Sequence, residues 1–83
     1  MKLATLAKKA KLVVYVPGDP SINGFKIYRY VVGGWIDYYL IWSDCPKQIP
    51  HYMAPVRFGP WLDFARQIPG AQINVEGEGE DQK

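Results

Sequence analysis

The stretch FKIYRYVVGGWIDYYLIW, residues 25–42, decides the fold. Phe25 to Val32 and Trp35 to Trp42 are rich in β-branched and aromatic side chains, which fit a pleated, half-buried surface. Between the two runs stand Gly33 and Gly34. A two-residue type I′ turn needs positive φ at both central positions, and glycine adopts that without a steric penalty. The stretch therefore predicts a β-hairpin with Val32 opposite Trp35, Tyr30 opposite Asp37, Tyr28 opposite Tyr39 and Phe25 opposite Trp42.

Side chains alternate between the faces of a strand, so this register sorts the hairpin into two sets. Phe25, Ile27, Arg29, Val31, Ile36, Tyr38, Leu40 and Trp42 share one face. Lys26, Tyr28, Tyr30, Val32, Trp35, Asp37, Tyr39 and Ile41 share the other. The first set is the more aliphatic and is expected to face the core. Its one charge, Arg29, falls opposite Tyr38, where a guanidinium stacks well on a ring.

Working towards the N-terminus, Leu12 to Val16 is a continuous β-branched run ended by Pro17 and Gly18, which reads as an interior strand followed by a loop to Gly24. Before it, Leu3, Leu6, Ala7 and Ala10 have the spacing of one helix face. So short a helix has to dock on the body to persist. Towards the C-terminus, Pro46, Pro50 and Pro55 predict a long surface connection from Asp44 to Pro55 with no regular element. Pro60 is a good first helical residue, and Trp61, Phe64, Ala65 and Ile68 repeat the helical spacing until Pro69-Gly70. Ala71, Ile73 and Val75 alternate with polar residues as a last strand would.

The expected architecture is α+β: a small, mostly antiparallel sheet of about four strands, a central β-hairpin, and two short helices packed mostly on one face. Residues 1–75 read as a single domain and residues 76–83, all glycine and polar or charged side chains, as a disordered acidic tail. With 83 residues, 48% of them hydrophobic and 14% aromatic, the chain has the material for one small core. No apolar run approaches the roughly 20 residues of a membrane helix, and the N-terminus shows neither an h-region nor a cleavage site. One cysteine, Cys45, precludes an intrachain disulfide and fits a reducing, cytoplasmic setting.

The net charge of +2 conceals a division. Residues 1–75 carry nine Lys and Arg against four Asp, while 76–83 carry four acids against one Lys. Lys2, Lys8, Lys9 and Lys11 crowd the first eleven positions. The plainest reading is two solvated ends that favour solubility.

A search for chemistry yields little. Cys45 and His51 lie six positions apart, but a nucleophile pair needs hydrogen-bond reach and a third, orienting group. With Asp44 they make three potential metal ligands on a segment where adjacent side chains point apart, short of what a zinc site asks. Asp19, Asp37, Asp44 and Asp63 are scattered, and no phosphate-binding glycine loop or nucleophile elbow occurs. No catalytic residue, metal or cofactor is expected, and the chain reads as a binding protein, not an enzyme.

The second hairpin face is the feature that suggests what does the binding. Tyr28, Tyr30, Trp35 and Tyr39, bordered by Lys26 and Asp37, form an aromatic surface if the helices cover only the aliphatic side. Exposed patches of this kind mark interaction sites, and Tyr and Trp dominate binding energy at them. Alternatively the N-terminal helix, or the proline-rich loop with Tyr52 and Met53, closes over that face. The favoured function is docking of a protein partner, including a second copy of the chain as a homodimer, through Lys26, Tyr28, Tyr30, Trp35, Asp37 and Tyr39. The alternative is single-stranded nucleic acid stacked on Tyr28, Tyr30 and Tyr39, with Lys8, Lys9, Lys11 and Lys26 on the phosphates. An RNP1-type pattern is missing and the acidic tail competes, which favours the protein partner. Membrane binding by the basic helix is disfavoured because its apolar face offers only Leu3, Leu6 and alanines. Chains of this size without catalytic groups are often stoichiometric inhibitors, adaptors or regulators, including those carried by phages and mobile elements.

Overall fold

The computed structural model describes residues 2–18, 23–44 and 47–75. Helix α1 (Leu3–Lys9) leads into β1 (Lys11–Val16), followed by β2 (Phe25–Val32), β3 (Trp35–Trp42), β4 (His51–Met53), α2 (Pro55–Arg66) and β5 (Gln72–Ile73). The expected tail 76–83, and with it Asp19 and Cys45, lies outside the described residues.

β2 and β3 pair antiparallel over their full length, from Phe25 opposite Trp42 to Val32 opposite Trp35. Gly33 at φ 57° and Gly34 at φ 82° make the connection, the left-handed conformation that a two-residue turn demands. The other strands assemble around this ribbon into one antiparallel sheet in the order β4-β3-β2-β1-β5.

The sheet has five strands, not about four, because His51–Met53 pairs with β3 inside the segment expected to be irregular. Pro50 and Pro55 stand outside those three residues, and an edge strand so short needs few donors from its outer side. The last strand is correspondingly shorter than the alternation suggested, with ladder pairing only at Gln72 and Ile73.

The main core lies between the first hairpin face and α2. Phe25, Ile27, Tyr38 and Leu40 are buried there with Val13, Val14, Val16, Met53, Phe58 and Ala65. A β-bulge between Leu12 and Val14 breaks the alternation of β1, so that Val13 and Val14 both enter this core. At one end of the hairpin Phe25 meets Trp42, Trp61 and Phe64, with ring centroids 5.7, 5.3 and 6.3 Å away. Phe58 lies flat on Tyr38 at 4.0 Å, occupying a face of the ring proposed to receive Arg29.

α2 begins at Pro55, one turn and more before the expected start at Pro60. Both prolines suit a first helical position, and packing decides between them: Phe58 on Tyr38 extends the helix backwards. Pro60 then sits inside the helix and withdraws a donor from the Val56 carbonyl. Val56 and Pro60 are both exposed, so water can serve that carbonyl.

The helices do not share one face, contrary to expectation. Leu6 and Ile41 are fully buried, yet neither belongs to the main core. Ile41 is on the second face by alternation, and α1 packs against β2. α1 therefore packs on β2 apart from the cluster under α2.

Candidate functional site

Strand pairing arranges the second face in rows. Nearest the closed end, Tyr15, Lys26 and Ile41 are aligned across β1, β2 and β3. The next row is Leu12, Tyr28, Tyr39 and Tyr52, spanning four strands. Beyond it come Tyr30 with Asp37, then Val32 with Trp35 at the turn.

α1 packs against β2, the strand that carries Lys26. Its start shares a shallow groove with Lys47, Gln48, Ile49 and Pro50, just past the closed end of β3, and its last residue leads into the Lys11–Arg29 pair midway along β2. Seven helical residues span about 10 Å, whereas an eight-residue strand spans about 26 Å. The helix is too short to reach the far rows.

Those far rows also lack neighbours within the sheet. The β1 ladder ends at Arg29 and the β4 ladder at Tyr38. Tyr30 to Val32 and Trp35 to Asp37 thus project as a two-stranded ribbon past both flanking strands. Trp35 is 75% exposed at its tip, opposite Val32, which is about half exposed.

The expected partner-binding residues fall into three environments. Trp35 is open to solvent. Tyr28, Tyr30, Asp37 and Tyr39 are half-buried in the rows leading away from it. Lys26 lies in the first row, its Nζ 5.7 Å from the Tyr15 ring centroid, a cation–π distance. Tyr52, treated from sequence only as a cover for this face, extends it instead: it is 60% exposed and meets Tyr39 edge-on at 5.9 Å. No periodicity can be read in a strand of three residues, so its place on the face was invisible. Lys8, Lys9 and Lys11 are exposed at the end of α1 and the start of β1.

Electrostatics separates the middle of the face from its tip. Partial burial, then the negative charge of Asp37 and the neighbouring Tyr52 and Tyr30, raise the Tyr39 phenol above the ordinary 10.0. Each of these holds the hydroxyl protonated, so Tyr39 presents a neutral phenol, able to donate and accept hydrogen bonds.

His51 is exposed on β4. Among the described residues no three His, Cys, Asp or Glu side chains come together, and no helix is long and apolar enough to cross a membrane. No protein-family model matches the chain, and no characterised protein or solved structure is similar to it. Geometry alone carries the functional reading.

Proposed function

We propose that the protein is a non-enzymatic binding module that docks a protein partner through the projecting β2–β3 ribbon, as an inhibitor, adaptor or regulator does. The observation that carries this reading is Trp35, 75% exposed beyond the reach of α1, β1 and β4. A large ring held on a rigid two-stranded stem loses little conformational entropy on binding, and Trp is among the residues that most often anchor interfaces. Val32 supplies apolar area beside it, while Tyr30, Asp37, Tyr39 and Tyr52 supply a rim that can form hydrogen bonds. Lys26, turned towards Tyr15, plays no part in the refined patch.

Affinity capture from lysate treated with nuclease, with wild type and Trp35→Ala side by side, tests the reading. A single protein retained by wild type and lost from the variant supports it; equal recovery on both removes it.

Single-stranded nucleic acid is the second reading, and one observation favours it. The exposed Lys11 begins the strand whose next residue, Leu12, pairs with Tyr28, so basic groups border the tyrosine row. This reading expects binding of a fluorescent oligonucleotide that falls steeply with salt and weakens in Tyr28→Ala. No binding at low salt ends it.

A further inference from the structure

We infer that the partner of Trp35 is a second copy of this chain, whose α2 receives the indole in a groove lined by Pro60, Trp61 and Phe64. This rests on the reading of Trp35 as a contact residue and names the other side of that contact. The groove is open and apolar, with a volume of about 220 Å³. Trp61 stands edge-on to Phe25 and to Trp42, with centroids 5.3 and 5.8 Å away, so the sheet holds its ring in place. Phe64, 47% exposed, meets Trp61 edge-on at 6.1 Å. Val56, 83% exposed, continues the apolar surface one helical turn before Pro60. A preformed apolar hollow walled by two aromatic rings suits a third, because aromatic pairs gain from edge-to-face and offset contact beyond the area they bury.

The indole cannot come from the same molecule. Trp61 packs on Trp42 at the root of the ribbon, and Trp35 lies seven residues away along β3, about 23 Å. By alternation Trp35 also belongs to the second face, whereas α2 packs on the first. Charge then matches tip to groove. Asp37 follows Trp35 by two residues on the same strand face, about 7 Å along β3. Arg57 precedes Pro60 and Trp61 by three and four positions, which puts it about 5–6 Å from them on the helix surface. Arg57 is exposed, while the acid of α2, Asp63, lies beside Arg66 at 4.0 Å. An indole seated in the groove brings the Asp37 carboxylate within reach of the long Arg57 side chain. Tip and groove are different surfaces, so every copy carries one of each, and a reciprocal pair or a head-to-tail chain satisfies both.

Sedimentation equilibrium of the full chain, from micromolar to millimolar concentration, tests this. The expected result is an average mass that rises with concentration, with association weakened at least about tenfold in Trp35→Ala. Asp37→Lys and Arg57→Asp should each weaken it too, because each sets like charges across the contact. Mixed in equal amounts, these two variants should recover it, since the tip of each then meets the opposite charge beside the groove of the other. Arg57→Asp places an acid in the first helical turn, where the helix dipole favours it, so the fold is kept. Should Asp37→Lys not fold, Trp35→Ala mixed with Arg57→Asp takes its place: the intact tip of one and the intact groove of the other form a pair that neither variant forms alone. A mass that stays monomeric overturns the inference, as does association indifferent to Trp35→Ala or a mixture no better than its components. Capture of a foreign protein that needs Trp35, by a chain that stays monomeric, overturns this partner and leaves the proposed function standing; failure of both measurements removes both.

Discussion

The two ends of the β2–β3 ribbon are built from the same kinds of residue and come to opposite fates. At the root, Phe25 and Trp42 face each other, and α2 adds Trp61 and Phe64. On the other side of the same root, Ile41 is buried. At the tip, Trp35 faces Val32 in the same register, with neither helix nor neighbouring strand beside it. An indole at the root is structural; an indole at the tip is surface. The difference lies outside the ribbon, in where the flanking elements stop, and it is what turns one hairpin into both a core and a candidate contact.

The sharpest way to break this comparison is to truncate the root. Phe25 is 1% exposed and touches three other rings, so Phe25→Ala should cost about 3–5 kcal/mol, as large buried aromatics do. Urea denaturation measures it; a loss near that of a surface substitution would mean the ring cluster is not the anchor described. Gly24, next to Phe25, gives a backbone version of the same test. A methyl group there would collide with the main chain at Val16 and Gly18, and Gly24 also holds the Ser43 amide through its carbonyl at 2.9 Å. Gly24→Ala should destabilise by about 1–3 kcal/mol, the range for overpacked sites.

How far the sequence disclosed this division follows from the range of the interactions. The pairing of β2 with β3 is local: two glycines set the turn, and counting outwards sets every partner to Phe25–Trp42. The bulge at Val13, the pairing of β4 and the placement of α1 are not local. They depend on contacts between elements far apart in the chain, such as Tyr38 with Phe58 and α1 with β2. Pro60 shows the same limit from the other side, since a strong local start signal yields to Phe58 packing and the helix begins at Pro55. For the candidate site, alternation groups Trp35 and the three tyrosines on one face, and the observed register groups them in the same way. Alternation carried no information on which rows a seven-residue helix would cover, nor on Tyr52.

At the turn itself the expected effects are smaller. Gly34→Ala meets no atom within 4 Å, so its penalty comes only from holding φ 82°, about 1–2 kcal/mol for a residue with a Cβ. A hydrogen-exchange profile should show it as faster opening of Tyr30 to Asp37 with the root amides unaffected. Opening that spreads to Phe25 would show that root and tip are one cooperative unit. Trp35→Ala is expected to change stability by less than about 0.5 kcal/mol, as exposed sites usually do, while removing partner capture. A marked fall in stability would place the indole against the fold, and the tip would cease to be a free surface.

The smallest effect belongs to Tyr39, in the row where root passes into tip, and it comes from proton binding instead of packing. Burial and the charge of Asp37 raise its folded pKa above the unfolded 10.0, so the folded state holds the proton more tightly. The resulting contribution is fully present below pH 10 and is lost as the pH climbs through the raised folded value. Tyr39→Phe should therefore lessen the alkaline loss of stability, read as a smaller fall in Tm on going above pH 10, with little change at neutral pH. Asp37→Asn should bring the phenol part of the way back towards 10, because burial, the larger cause, remains. A phenol that titrates in the wild type as a free tyrosine does would mean that water reaches this row as freely as it reaches Trp35. The boundary between the two ends would then lie at Ile41, one row nearer the root, and the open face would be that much larger.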